Sequence, residues 1–275
     1  MAEVVAARGR IGYMPNTPAP VAAGIDHRIG RLTTVSLAPL DLAALLCSRV
    51  CHDVISPVGA IVNGLEVLDG EEDADMRAVA MDLIKKSAVS ASARLQFCRL
   101  AFGAAGSLGA SIDTGDAENV ARGLIGSERT ALRWNAERRL APKNAVKLLL
   151  NLCLIAAAAV PRGGVIEVDL EGEGAAMTMR VEARGANARI PHNSAALLSG
   201  GPIETIDAHS IQPYYTTELA RERGVTLEVL IAPETVTLTA TPAAPALEEA
   251  TALVAAEDMA SAFGFEQPAR RPETI

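Results

Sequence analysis

The stretch "LLCSRVCHDVISPVGAI", residues 45–61, decides how the chain is read: apolar residues recur in it at steps of three and four, yet His52 and Pro57 interrupt the pattern. The period extends to both sides. Leu42, Leu46, Val50, Val54, Val58, Ile61, Leu65 and Leu68 predict a helix that starts near Ser36 and is broken by "DGEED" at 69–73. A second helix is expected from Asp73 to Phe102, with Val79, Leu83, Val89, Leu95 and Leu100 among its apolar residues. The two form a long hairpin, residues 36–105. Each helix of such a hairpin has an apolar stripe and only one partner, so the hairpin cannot enclose a core, and a homodimer joined as a four-helix bundle is expected.

With Val50 at zero and about 100° per residue, Leu46, Val54, Ile61, Leu65 and Leu68 fall within about 60° of it, and Leu42 and Val58 within about 80°. His52 falls at about 200°, nearly opposite this seam, with Ser48, Ser56, Gly59 and Asn63 within about 40° of it. Its ring therefore faces solvent or a docking partner across a small, polar surface. A lone surface histidine is most often merely solvated. Two neighbours argue for more: Asp53 can fix the imidazole tautomer and leave one ring nitrogen nucleophilic. Pro57 removes a helix hydrogen bond at a cost of about 3 kcal/mol or more, which propensity does not explain.

The bulk properties exclude several classes. With 275 residues, about half of them apolar, the chain can build a real core. A net charge of -8 and the lack of a basic stripe argue against nucleic acid as a partner. The longest apolar stretch, "LLLNLCLIAAAAV" at 148–160, is short of the roughly twenty residues of a bilayer span, so no membrane association is expected. No secretory signal pattern opens the chain, and a cytoplasmic protein is expected. Cys47, Cys51, Cys98 and Cys153 lack zinc-type spacing and read as buried, reduced thiols.

Residues 1–35, with "PNTPAPVAAG", read as a tail, as do residues 241–275, and "GAAGSLGASIDTGD" contains a linker at 106–116. Between them, 117–240 change texture. "AENVARGLIGS" reads as a helix, "TALRWNA" as a short strand and "KNAVKLLLNLCLIAAAAV" as an apolar helix starting near Pro142 and stopped by Gly163 and Gly164. "VIEVDLEG" and "MTMRVEAR" read as paired strands, "YYTTELARERG" as a helix closed by Gly224, and "VTLEVLIA" and "TVTLTA" as two further strands. The fold class is α+β: a helical hairpin followed by helices layered on a mixed sheet.

"HDVISP", residues 52–57, resembles the H-box of dimeric histidine kinases, His-(Glu/Asp)-Leu-(Arg/Lys)-(Ser/Thr)-Pro, with Asp53, Ser56 and Pro57 in place and Ile55 where a base is usual. The second domain is similar to the ATPase domain of that family. "LLLNLCLIAAAAVPRGGVIEV" has the cadence of its N-box segment: Asn151 matches the first Asn, but Ile155 replaces the Asn that would coordinate magnesium. In "VEARGANARI", Ala183 stands where the adenine-binding Asp belongs; Gly185 remains and Asn187 replaces the second Gly. "LLSGGPIETIDAHSIQPYY" carries no GxGLGL lid, so no phosphate-cradling loop is recognisable.

A kinase fold that has lost its nucleotide ligands resembles the ChpT-type histidine phosphotransferases of alphaproteobacteria, over about residues 36–240. The resemblance implies a degenerate ATPase-like sandwich beside a dimeric phosphotransfer hairpin. It also implies a relay in which His52 takes a phosphoryl group from the receiver domain of a hybrid kinase (CckA-like) and passes it to response-regulator receiver domains (CtrA/CpdR-like), without ATP. His52 would be the nucleophile and Asp53 its orienting partner, with Arg49, Ser48, Ser56 and Gly59 against the phosphoryl group or the partner. No intrinsic cofactor is implied, since Mg²⁺ comes with the receiver. The alternatives are an active histidine kinase with a divergent ATP site and a non-catalytic dimeric scaffold. His27, His192 and His209 have no second metal ligand at useful spacing, and Trp134 reads as core.

Overall fold

The computed structural model describes residues 36–103, 111–190, 192–199, 206–208 and 210–243. The tail expected at 1–35, residues 244–275 of the other tail, and His27 and His209 lie outside them.

Helix α1 spans Pro39–Gly70 and continues through Pro57; Pro39 sits at its start, where a missing N–H costs nothing. Helix α2, Ala74–Ala101, is capped by Asp73, whose Oδ1 accepts from the Asp75 and Met76 amides at 2.9 and 3.0 Å. Arg77 closes the turn from the other side by donating to the Leu68 and Glu71 carbonyls. Gly64 is where the helices come closest, since a Cβ there would meet Ile84 Cγ1 at 2.6 Å.

The seam between α1 and α2 is rotated from the expected one. Gly64 is buried, and Asp53, Pro57, Ile61 and Leu68 are half-buried. Val58 and Leu65, expected in the seam, are 43% and 48% exposed. They continue an exposed apolar flank with Ile55 and Val62, and the cysteines are corrected in the same way: Cys98 and Cys153 are buried, but Cys47 and Cys51 stand exposed on this flank. One helix with two apolar flanks satisfies only one of them inside the chain. By length and composition α1 could also cross a membrane, and only 6% of its apolar window is buried.

The second layer begins earlier than 117. Residues 111–116, expected in the linker, form strand β1 (Ser111–Asp113) and the first turn of α3 (Thr114–Ile125). Strands β2 (Thr130–Trp134) and β3 (Leu140–Pro142) follow, and β1 and β3 pair as a small antiparallel ribbon. Helix α4 (Lys143–Ala159) crosses over to β4 (Gly164–Glu171), parallel to β2. Strand β5 (Thr178–Arg184), helices α5 (His192–Leu198) and α6 (Ile211–Glu222), and strands β6 (Val225–Ala232) and β7 (Thr235–Pro242) complete the described residues, and His192 opens α5. The five-stranded sheet has the order β2-β4-β5-β7-β6, and every pair except β2 with β4 is antiparallel. Gly224, at φ +63°, gives the left-handed turn that ends α6 and starts β6.

Alternation along the strands builds the core. Ile166, Val168 and Leu170 of β4, Met179, Val181 and Ala183 of β5, and Val236, Leu238 and Ala240 of β7 pack inward against α4. Leu148, Leu149, Leu150 and Leu152 make α4 apolar nearly all round; burying each contributes roughly 1.5–3 kcal/mol. On the opposite face Glu182, 4% exposed, is held by Arg180, Arg184 and the Thr237 hydroxyl. The hairpin is tied to this core because Phe97 and Ala101, in the last turns of α2, are fully buried within it.

Candidate functional site

His52 projects from the middle of α1 with 69% of its side chain exposed. Its Nδ1 lies 3.3 Å from Asp53 Oδ1, and Asp53 Oδ2 accepts from Arg49 Nε at 3.0 Å. The carboxylate thus spans two neighbours: Arg49 one turn back, the i,i+4 geometry of a helix ion pair, and the imidazole beside it. Arg49 and Asp53 are 25% and 19% exposed, so the carboxylate is anchored in a way an exposed pair is not. Asp53 can hold a proton on Nδ1, which leaves Nε2 with its lone pair.

Ser48 and Ser56 are exposed and Gly59 is half-buried, with nothing within 4 Å of where its Cβ would stand. The expected bald surface around His52 is therefore present. On the side toward the second layer, Arg49 and Asp53 border a cleft of about 380 Å³, walled by Phe97 and Cys98 of α2, Leu124 of α3 and Leu154 of α4, with Arg94 at its edge. Burial, then the Asp53 charge, pushes the Cys98 thiol up to about 11, with Arg49 and Arg94 acting in the opposite direction. Arg94 and the cleft were not visible in the sequence, since Arg94 and Leu124 come to line one cleft with Asp53 only through the packing of α2 and α3.

The positions of the nucleotide motifs are occupied differently. Ile155 and Ala183 are buried in the apolar core, at 4% and 0% exposure. Asn187 adopts a left-handed backbone at φ 61°, and a Cβ on Gly185 would meet the Gly163 carbonyl oxygen at 2.5 Å. Asn151 is fully buried: its side-chain amide donates to the Lys147 and Ala101 carbonyls at 2.9 and 3.3 Å, and its backbone carbonyl accepts from Gln212 Nε2 at 2.9 Å. It joins α2, α4 and α6. Trp134 packs against the core, and among the described residues no group of three His, Cys, Asp or Glu is placed to hold a metal.

A two-helix hairpin with an exposed, carboxylate-supported histidine, followed by helices on a mixed sheet, is an arrangement suited to phosphoryl transfer through histidine. The histidine phosphotransferase C-terminal domain family matches residues 114–235. A solved bacterial phosphotransferase is 50% identical, covers 75% of this chain and 98% of its own, and superposes with a TM-score of 0.69. The protein phosphotransferase ChpT of Brucella abortus (strain 2308) is 54% identical over 197 residues, which is 71% of this chain and 92% of that protein. The chain belongs to the ChpT-type histidine phosphotransferase family and is a phosphotransferase of phosphorelay signalling.

Proposed function

We propose that His52 receives a phosphoryl group from a phospho-aspartate on the receiver domain of a CckA-like hybrid kinase and passes it to CtrA/CpdR-like response-regulator receivers, without binding ATP. The observation that carries this is the exposed imidazole with Nδ1 beside Asp53. With the proton on Nδ1, Nε2 attacks phosphorus in line; the Nε2–P bond forms as the acyl phosphate P–O bond breaks, and the aspartate leaves as carboxylate. Asp53 keeps the Nδ1 proton and balances the positive ring, while Arg49 holds Asp53 in register. The second transfer runs the same exchange in reverse. Positioning and charge neutralisation supply most of the catalysis, and the receiver brings the Mg²⁺ and lysine that neutralise the equatorial oxygens. This chain then needs no intrinsic cofactor.

Ser48, Ser56 and Gly59 would lie under the receiver, with Ile55 and Val62 as its apolar rim. Independence from ATP is supported by the apolar core positions of Ile155 and Ala183. The flank of Cys47, Cys51, Val58 and Leu65 supports a homodimer, since a contiguous exposed apolar surface needs a partner and this one runs along a helix as a bundle seam does. That pairing would also leave α1 outside any membrane, in a cytoplasmic protein.

The test incubates the purified protein with a ³²P-labelled receiver domain and no ATP, beside His52→Ala. Label on the wild type alone establishes the relay. An unlabelled wild type that binds ATP by calorimetry would favour an active kinase instead.

A further inference from the structure

The helix starts of α1 and α4 both open onto one cavity of about 910 Å³ at the foot of the hairpin, on a side that His52 does not share. Neither start has a side-chain cap: Ala38 precedes α1, Pro142 precedes α4, and no side-chain oxygen reaches the first-turn amides of either. Uncapped amides and the positive ends of two helix dipoles favour an anion. Asp41 is the acidic residue in the first turn of α1, and it does not line the cavity; α4 has none.

The side chains point the same way. Lys143, Lys147 and Arg223 line the space. Lys147 is 8% exposed, and among the described residues its ammonium has no hydrogen-bond or ion-pair partner. Burial, then the charge of Lys143, lowers its pKa, while Glu222 raises it. Arg223 spends one Nη on the Gly174 carbonyl at 3.3 Å, and its buried Nε has no partner. The acids of the cavity are already engaged: Glu222 accepts from Asn144 at 2.8 Å and Glu218 from Arg221. A lysine so little exposed, with no counter-charge bonded to it, is costly to keep ionised unless an anion meets it.

We propose that this cavity is a second ligand site, one that takes a phosphomonoester of mononucleotide size, with the phosphoryl oxygens on Lys147, Arg223 and the first-turn amides of α4. The volume is in the range of small-ligand sites and far exceeds a phosphate ion, which leaves room for a nucleoside beside Tyr215 and Leu219. The residues that stand where the family's nucleotide elements belong, Ile155, Ala183 and Asn187, are not part of it.

The full-length protein would be titrated by calorimetry with AMP, with inorganic phosphate and with sodium chloride at matched ionic strength. The variants are Lys147→Met, Arg223→Gln and, as a surface control, Lys85→Met. The site predicts saturable AMP binding, weaker phosphate binding, and at least about tenfold loss in both cavity variants but not in the control, as expected when a charge-assisted contact is removed. Absence of AMP binding at millimolar concentration overturns the proposal, as does binding unchanged in Lys147→Met. Transfer from a labelled receiver to His52 is measured in the same variants and is expected to persist, so failure here is separate from failure of the relay.

Discussion

Arg49 and Asp53 form an ion pair one turn apart on α1, at 3.0 Å, and that pair fixes which carboxylate oxygen is left for His52. If Asp53 orients the imidazole and Arg49 orients Asp53, the two should fail alike but not equally. Asp53→Asn keeps the shape and loses the charge. Since a hydrogen bond to a charged group is worth roughly 1.5–3 kcal/mol, transfer onto His52 should slow by about 10- to 100-fold. Arg49→Gln should slow it less, with receiver affinity little changed. Equal transfer rates for Asp53→Asn and wild type, measured by rapid-quench labelling, would remove Asp53 from the mechanism.

Gly59 lies about two turns beyond His52 on the same face of α1, with open space where its Cβ would stand. Gly59→Arg therefore should fold normally and block the partner's approach. Its circular dichroism melt should match wild type within a few degrees, while transfer falls by at least about tenfold, the cost of one lost contact cluster of roughly 1.4 kcal/mol. Unimpaired transfer would place the docking surface elsewhere.

On the other flank, Val58 and Leu65 are expected to meet their counterparts in the homodimer. Val58→Glu with Leu65→Glu puts unpaired charges into an apolar seam, which proteins do not tolerate. Sedimentation equilibrium should then report a monomer at concentrations where the wild type is a dimer. A dimer of undiminished strength would assign that flank another role.

Asn151 sits in the core as a joint between α2, α4 and α6. Asn151→Ala leaves the Ala101 carbonyl without its donor and opens a small void, so the denaturation midpoint should fall by an amount equivalent to about 1–3 kcal/mol. Phosphotransfer by the folded fraction should survive. A variant as stable as wild type would show that this amide is not structural.

Burial raises the thiol of Cys153 to about 12 and that of Cys98 to about 11, from an ordinary 9.0. The unfolded chain loses these protons first, so their stabilisation is complete below pH 9 and is lost as pH rises through the range up to about 12. The raised hydroxyl of Tyr215 acts in the same direction, and the lowered Lys147 opposes it. Melting temperatures across that range should decline, and Cys153→Ala should decline less steeply than wild type, whatever its stability at neutral pH. Parallel curves would mean the thiol does not titrate on unfolding.

The sequence carried the long elements because their periods are strong: α2 starts one residue after Asp73, and α4 starts at the residue after Pro142. The β1 and β3 ribbon was not legible, since three residues per strand carry no period and only their pairing, Ser111 to Pro142, makes them a sheet. The seam of α1 departs from expectation at Val58 and Leu65 for a related reason, while Leu42, Leu46, Val50, Val54, Ile61 and Leu68 are half-buried. Apolar residues occupy more than half a turn of that helix, and hydrophobicity alone cannot tell the flank that meets α2 from the flank around Val58. His52 and Asp53 were legible as neighbours, and Arg49 as a residue one turn away. The cleft with Arg94 needed the packing of four helices.

Because Phe97 and Ala101 end α2 inside the core of the sheet layer, and Asn151 fastens that end to α4, the hairpin partner of the helix that carries the histidine is anchored to the layer beside it. If that anchor holds the two walls of the cleft at a set separation, like a gauge block, a docking receiver would be sorted by whether its thickness fits the gap. Discrimination of this kind depends on stiffness rather than on any single contact, and would be lost by loosening a joint far from the imidazole.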